Sequence, residues 1–464
     1  MRDAAFLVAI AIIIPIALSW PYICLVFWAY VSLLDPNETL FGIASVVPYA
    51  KLAAAMTVLS FFITRRKNNP FHLDRTTVLV LIFLLLAAMS QFTSLSRDQN
   101  GWDILDKLWK IVALNVLILW CMRTRLQIHV LLLGVCLAVG FNAVDEALKY
   151  LLSGGGHKVE GLPAWGDNNQ VGLIVLLTIP ILAYVREESE DPLVRMGALG
   201  GIILFAVCVI ATASRGALGG LLLLALTGIA NSRHKVRYMA AMLVAIMVLV
   251  QTAPDSWTQR MNTIQTADRD SSFMGRVIAW KISTLMAMDH PFLGGGLHAV
   301  QAKNVWASYS NDFYKLSFIP TEEPDVNPHA AHSIYFEVLG DTGFLGLAVF
   351  LGIIASSFVT GWQIKAAVRN RPDLQWAARL ASSLRNSLLV FLTSGALLSA
   401  AYHDLIFLII AIFSAVRAAV AAAPLPLAAP TSAPPQVTGW RARRPDESGS
   451  VRLGRKADPG GNLR

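Results

Sequence analysis

Two arginines stand at positions in the sequence where they are able to bind an anionic group. Arg215 lies in the run Ala211-Thr-Ala-Ser-Arg215-Gly216 between two apolar stretches, and Arg276 begins a segment whose pattern predicts an amphipathic helix. A guanidinium binds phosphate through two parallel hydrogen bonds, so both residues are candidates for binding a phosphate or diphosphate. Each arginine has an alternative interpretation. Arg215 would instead extend to lipid headgroups, and Arg276 would instead be an ordinary solvated residue.

Two histidines stand three residues apart, in Asn327-Pro328-His329-Ala-Ala-His332, just before a long apolar segment. Asn before Pro predicts an N-cap followed by the first helical residue, which places His329 and His332 on one helix face. The positive end of a helix disfavours protonated imidazole, so a neutral histidine is expected here, able to act as a base beside a bound diphosphate. The alternatives are an ordinary interfacial histidine and a two-histidine metal site, for which no third ligand has a fixed spacing.

Other candidate motifs give weaker signals. The glycines from Gly294 to Gly296 either let the backbone approach a phosphate or form a plain loop. Asp268 and Asp270 match the Asp-x-Asp pattern of metal-dependent transferases that use nucleotide sugars, a triplet that is common by chance. The four cysteines have no ligand spacing and lie in or at the edge of apolar runs, which predicts packing roles. The sequence therefore predicts no metal and no cofactor.

The composition places these motifs in a membrane protein. The chain has 464 residues, is 55% hydrophobic and 15% charged, and has a mean hydropathy of +0.55. A soluble protein cannot bury that much apolar surface, whereas a bilayer solvates it. The net charge of +8 is concentrated in short loops between apolar segments, which favours an orientation signal over nucleic-acid binding. The first apolar stretch has no convincing cleavage site, so it is predicted to be a retained helix.

The apolar segments predict an all-α polytopic membrane protein with about 12 transmembrane helices. They lie near 4–18, 21–34, 44–64, 77–95, 104–122, 129–147, 170–185, 196–213, 216–230, 237–252, 342–364, 386–402 and 404–421. Short basic loops, such as those around 65–75, 123–125, 233–237 and 365–385, are expected in the cytoplasm.

The positions of the basic loops also determine the location of Arg215. The loops at 186–195 and 231–237 are both expected in the cytoplasm, and the apolar stretch between them is too long for one crossing. The stretch must cross twice and turn near its middle, which puts Arg215 at the periplasmic face in a tight turn that Gly216 permits. The same reasoning puts residues 253–331 outside the cytoplasm, as one large periplasmic loop.

Four regions follow from this pattern. Residues 1–252 form N-terminal transmembrane helices, and residues 253–341 form a periplasmic loop domain that contains the candidate catalytic histidine. Residues 342–421 form C-terminal transmembrane helices. Residues 422–464, rich in Pro and Ala and then in Arg and Gly, are expected to be a disordered basic cytoplasmic tail.

Several motifs together resemble the O-antigen ligase and O-antigen polymerase superfamily. They are His332-Ser-x-x-Phe336 with Asp341-x-Gly343-x-x-Gly346, Ser214-Arg215-Gly216, Arg276 with Trp280 and Pro291-x-x-Gly294-x-Gly296, and Gly166-Asp-Asn-Asn169. The resemblance covers roughly residues 160–350, and the motifs share one side of the predicted membrane. The stretch Trp20-Pro21 to Asp35-Pro36 also resembles the exosortase-associated branch of O-glycosylation ligases.

The resemblance implies the fold class of membrane glycosyltransferases that use polyprenyl-linked donors, in a bacterial inner membrane with a periplasmic active site. The donor would be an undecaprenyl-diphosphate-linked glycan and the acceptor the lipid A–core oligosaccharide, with no metal or nucleotide. Arg215 and Arg276 would bind the diphosphate, and His332 would take the proton of the acceptor hydroxyl. Asn169, His329 and Gly294 would be neighbours of the site.

Three alternative functions remain. A glycan polymerase or a protein O-glycosylation ligase of the same superfamily would share all these motifs and differ in its acceptor. A polyprenyl-glycan transporter would require inverted repeats and polar residues at mid-membrane, whereas the notable polar residues here lie at one face.

Overall fold

The computed structural model describes residues 2–64, 73–231, 271–316 and 326–424, together with isolated positions at 235–236, 239, 321 and 323–324. Helices account for almost all regular structure in these ranges. They are α1 (Arg2–Ser19), α2 (Pro21–Leu34), α3 (Pro36–Thr39), α4 (Tyr49–Thr64), α5 (Arg75–Phe92), α6 (Gln99–Cys121), α7 (Arg125–Leu152), α8 (Asn168–Glu188), α9 (Pro192–Ala211), α10 (Arg215–Asn231), α11 (Ser271–Asp289), α12 (Lys303–Ser310), α13 (Ile334–Ala367), α14 (Gln375–Ser394) and α15 (Asp404–Ala422). A short antiparallel hairpin of β1 (Gly161–Leu162) and β2 (Gly166–Asp167) precedes α8.

Six of these helices, α5, α7, α8, α9, α13 and α15, are long and apolar enough to cross a membrane. Four shorter apolar helices, α1, α2, α4 and α10, accompany them. The all-α membrane class predicted from the sequence is therefore confirmed. The number of about twelve crossings stays a prediction, and most of the segment predicted at 237–252 lies outside the described residues.

Ion pairs and hydrogen bonds show which helix ends lie together. Glu188, at the end of α8, binds Arg125 of α7 at 2.8 Å and Arg379 of α14 at 2.7 Å. At the opposite end of α8, the Asn168 side chain donates a hydrogen bond to the Thr212 carbonyl at 2.8 Å. The chain therefore runs back along α9 and turns at residues 212–214 before α10, which is the break predicted from the length of the apolar stretch.

The residue that makes this turn is Ala213, with φ of +48°, and the predicted role of Gly216 was wrong. Gly216 lies inside α10, where the Ser394 hydroxyl donates to its carbonyl oxygen at 3.0 Å. The turn does not depend on glycine because neighbouring groups hold it. The Thr212 hydroxyl accepts a hydrogen bond from the Ser214 amide, and the Thr212 carbonyl binds Asn168.

Residues 271–316 form a small subdomain that packs against the start of α13. Its core includes side chains of α11 and α12, among them Ile282, Met286 and Trp306. The loop that follows α11 lies against a kink in α13 at Gly343, whose φ is +70°. A Cβ at Gly343 would lie 2.6 Å from the Pro291 carbonyl oxygen, so the close approach requires glycine.

The start of α13 differs from the prediction. The helix begins at Ile334 after Ser333, and residues 328–332 are not helical, so His329 and His332 do not share a helix face. The Ala331 carbonyl accepts a hydrogen bond from the Trp280 indole at 2.6 Å instead of from a helical amide. This contact, together with a φ of +43° at His332, keeps the segment out of the helix.

Candidate functional site

His332 lies in the non-helical segment that connects the small subdomain to α13. Trp280 of α11 binds this segment through its hydrogen bond to Ala331 and stacks on Phe336 in the first turn of α13, with ring centroids 5.0 Å apart. His332 is partly buried. Its backbone is in a left-handed conformation that non-glycine residues adopt infrequently, which is a feature found at functional sites.

Arg276 lies one turn before Trp280 on α11, so both side chains project from the same helix face. Its Nη1 donates a hydrogen bond to the Leu397 carbonyl at 3.3 Å. Burial lowers the pKa of the His332 imidazole, and the positive charge of the nearby Arg276 lowers it further. A histidine with a pKa below its ordinary value near 6.5 is neutral at neutral pH and able to accept a proton.

Arg215 is the first residue of α10 and directly follows the turn at Ala213. A Cβ at the adjacent Gly216 would lie 3.7 Å from the Ser394 carbonyl oxygen and 3.9 Å from side-chain atoms of Leu397 and Leu398. Arg276 binds the carbonyl of Leu397 itself. The same short segment, residues 394–398, therefore lies against the start of α10 and against Arg276.

The N-terminus of α8 completes this group. Asp167 is the N-cap and accepts hydrogen bonds from the amides of Asn169 and Gln170. The Asn169 side chain also donates to the Asp167 carboxylate, at 3.2 Å. The Asp167 charge acts to raise the pKa of His332, against the stronger effects of burial and Arg276, which places this carboxylate near the imidazole. The structure thus brings Asn169, Arg215, Arg276 and His332 to one end of the helices.

His329 and Gly294 occupy structural positions beside this group. The His329 ring lies 3.5 Å from where a Cβ of Gly275 would be and meets Trp306 edge to face at 5.7 Å. Gly294 has a φ of +66°, and its amide donates to the His290 carbonyl at 2.8 Å. The amides of the next two glycines bind carbonyls of α13, at Gly340 and Asp341, so the loop uses these donors within the fold.

Glu337 and Asp341 form a buried network with His298, and from the sequence Asp341 was named only as part of the family motif, not as a site residue. Glu337 accepts from the His298 ring at 3.1 Å and from the Ala401 amide at 3.1 Å. Asp341 accepts from the His298 amide at 2.9 Å and from the Tyr402 hydroxyl at 2.9 Å.

The charges in this network favour a protonated His298. Burial opposes protonation, but the Glu337 hydrogen bond and the Asp341 charge outweigh it and raise the pKa of His298. Glu337 and Asp341 lie four residues apart on an otherwise apolar helix, a pattern that marks functional sites in membrane proteins and was available in the sequence.

Within the described ranges, no cluster of three or more His, Cys, Asp or Glu side chains is arranged to hold a metal ion. The Asp-x-Asp triplet at 268–270 lies outside those ranges. Arg215 and Arg276 both contribute positive charge to this group of residues.

Comparison with known proteins assigns two regions of the chain. Residues 200–351 match the model of the O-antigen ligase family, and residues 1–189 match a family of unknown function (DUF5935). A search of curated proteins finds no match. Residues 200–351 contain Arg215, Arg276 and His332, so the resemblance predicted from the motifs is confirmed.

Proposed function

We propose that this chain, a membrane enzyme of the O-antigen ligase and polymerase type, transfers a glycan from undecaprenyl diphosphate to an acceptor hydroxyl, with the lipid A–core oligosaccharide as the first acceptor to test. One observation carries the proposal: Trp280, one turn after Arg276 on α11, binds the Ala331 carbonyl directly before His332, and burial and the Arg276 charge both lower the pKa of the His332 imidazole. A neutral base beside a guanidinium is able to remove the proton of an attacking alcohol and to stabilise the diphosphate that leaves the sugar.

The chemistry is a single displacement at the anomeric carbon. His332 takes the proton of the acceptor hydroxyl as its oxygen forms the new glycosidic bond, and the bond to the diphosphate oxygen breaks. Arg276 and Arg215 stabilise the negative charge that develops on the departing diphosphate. The products are the glycosylated acceptor, with inverted anomeric configuration, and undecaprenyl diphosphate, and His332 releases its proton to water.

Metal-independent catalysis is part of the proposal. Diphosphate is already a good leaving group, and two guanidinium groups supply the positive charge that a divalent cation supplies in other phosphate chemistry. We therefore expect transfer to proceed in excess chelator and without ATP. Loss of activity in chelator that a divalent cation restores would contradict this part of the proposal.

We propose that the site faces the periplasm from the inner membrane. The end of α8 that bears Asn168 and Asp167 is opposite the end where Glu188 binds Arg125 and Arg379. Basic residues concentrate on the cytoplasmic side of inner-membrane proteins, which supports this orientation. The undecaprenyl chain would then extend from the arginines into the bilayer, beside apolar helices.

The decisive experiment is transfer by the purified protein from an undecaprenyl-diphosphate-linked glycan, with lipid A–core, an acceptor peptide and free glycan offered separately. His332→Ala should abolish or sharply reduce transfer while donor binding is largely retained, because its partner is the acceptor hydroxyl. The matched variant His329→Ala removes a histidine three residues away that packs on Gly275 and Trp306, and it should be much milder. Full activity of His332→Ala at equal membrane expression would refute the base role.

A further inference from the structure

A cavity of about 230 Å³, lined by both polar and apolar residues, lies next to the candidate site, and none of the proposed chemical steps uses it. It is lined by residues from α6, the β1–β2 turn, α8, the loop between α11 and α12, α13 and the segment before α15. The lining includes Lys107, Ala164, Trp165, Gln170, His298, Glu337, Ser399 and His403. At about 30 Å³ per water molecule, it would hold on the order of eight waters or about one sugar ring.

The charged groups of this cavity are already paired. Lys107 binds Asp404 at 3.2 Å, and His298 binds Glu337 at 3.1 Å. The Glu337 side chain is only 6% exposed, and its second oxygen accepts from the Ala401 amide. Paired charges give little attraction for a phosphate or a metal ion, whereas their remaining donors and acceptors suit a neutral, polyhydroxylated ligand.

Two further groups of the lining are able to bind hydroxyls. The Ser399 hydroxyl is buried and makes no hydrogen bond to any residue in the described part of the chain. The His403 Nδ1 accepts from the Leu405 amide, and burial followed by the Lys107 charge lowers the pKa of His403 to about 4. The proton of the neutral ring is therefore on Nε2, which is a donor.

The cavity wall is continuous with the candidate site. Gln170, in the same N-terminal turn of α8 as Asn169, donates to the Ser399 carbonyl. Ser399 is two residues from Leu397, whose carbonyl binds Arg276. Glu337 is close enough to His332 for its charge to act on the pKa of the imidazole.

We infer that this cavity is a saccharide-binding subsite that holds one sugar ring of a substrate while the reacting atoms lie at His332 and the arginines. The apolar faces of the ring would lie against Ile104 and Trp165, and its hydroxyls would meet Gln170, His298, Glu337 and Ser399. The inference deepens the proposed function, on which it rests. Two sources supply the same chemistry: the first sugar of the donor glycan and the terminal sugar of the acceptor.

Filling the cavity tests the inference. Ala164 lies in the β1–β2 turn and is only partly buried, so Ala164→Trp adds bulk to the cavity with little disturbance of the helices. Ser399→Ala is the second variant and removes only a hydroxyl group. It provides the test of the subsite if Ala164→Trp does not fold. Ala307→Trp, at an exposed position of α12, is the matched control and should behave as wild type.

Each variant is measured for transfer and for binding of the donor glycan and the acceptor oligosaccharide, both released from their lipids, with the full-length protein. Ala164→Trp should raise one KM at least about tenfold, for the donor if the ring is the donor's and for the acceptor if it is the acceptor's. Ser399→Ala should raise the same KM to a smaller extent. If the folded variants have wild-type KM values and wild-type glycan binding, the subsite is refuted. The proposed transfer function is not affected by that result.

The binding measurement separates the subsite from the proposed function. Suppose that the wild-type protein binds glycan but shows no transfer. Loss of glycan binding in Ala164→Trp then still supports the subsite, provided that the control His332→Ala, which changes a residue outside the cavity, retains binding. If neither released glycan binds the wild-type protein, the subsite is refuted whatever the transfer assay shows.

Discussion

The Trp280 indole donates a hydrogen bond to the Ala331 carbonyl at 2.6 Å, directly before His332. Because Trp280 lies one turn after Arg276 on α11, this contact fixes the candidate base relative to a candidate diphosphate ligand. This contact therefore joins two motifs that are about fifty residues apart in the sequence.

Trp280→Phe should test this positioning role. Phenylalanine keeps an aromatic ring for stacking on Phe336 but loses the indole donor, at a cost of about 1 kcal/mol in unfolding free energy. We expect kcat to fall by about tenfold with a smaller change in donor KM, because the base moves relative to the donor. The control Trp362→Phe, at an exposed position of α13, should leave kcat unchanged, and equal kcat in both variants would contradict the role.

Arg215→Lys should be nearly as damaging as Arg215→Ala. Lysine keeps the positive charge but lacks the planar fork that binds two phosphate oxygens. Loss of one preorganised charge contact costs on the order of 3 kcal/mol, so kcat/KM should fall by about a hundredfold in both variants. Single-turnover transfer at equal expression measures the effect. Wild-type activity in Arg215→Lys would instead indicate that a positive charge at this position is sufficient, as in binding to lipid headgroups.

The pH dependence of transfer should report the environment of His332. The neutral imidazole is the active form, so kcat/KM should fall as the pH drops through the pKa of His332. Burial and the Arg276 charge lower this pKa, which keeps the enzyme active to a lower pH than an exposed histidine would allow. Arg276→Gln removes the charge, so the acidic limb of its residual activity should move to higher pH. An unshifted limb would show that the titrating group is not beside Arg276.

Gly343→Ala should destabilise the protein at the kink of α13. The residue has a φ of +70°, and a Cβ there would lie 2.6 Å from the Pro291 carbonyl oxygen. Strain of this kind costs about 1–3 kcal/mol, so the thermal midpoint and the yield of folded protein should both fall. The control Gly200→Ala, in helical α9 with open space around the new methyl group, should be neutral or slightly stabilising. Equal midpoints for the two variants would contradict the close approach.

Thiol labelling in intact cells should establish which membrane face bears the site. The four native cysteines are buried, which gives a low background. Asn311→Cys, exposed after α12, should react with an impermeant reagent added to the periplasm. Glu190→Cys, exposed between α8 and α9, should react only after the inner membrane is opened. The reverse pattern would place the site in the cytoplasm and remove the basis for a periplasmic ligase.

Several features were predictable because they depend on local pattern. Apolar segments predicted the helices, since a bilayer requires long runs of nonpolar side chains, and the break before Arg215 followed from the length of one such run. Arg215, Arg276 and His332 were selected because their types and flanking residues match family motifs. The start of α13 was predicted incorrectly, because the Asn-Pro signal is local and the Trp280 contact to Ala331 comes from a distant helix.

The sequence by itself therefore determined the class of protein, the course of most helices and the three residues of the proposed chemistry. The tertiary structure alone decided what surrounds them. His298 pairs with Glu337, and Leu397 accepts from Arg276, across separations that no periodicity encodes. The cavity beside the site exists only because the ends of several helices meet, so its lining comes from residues spread over Ile104 to His403. Burial and neighbouring charge, which set the pKa of His332, are likewise products of packing.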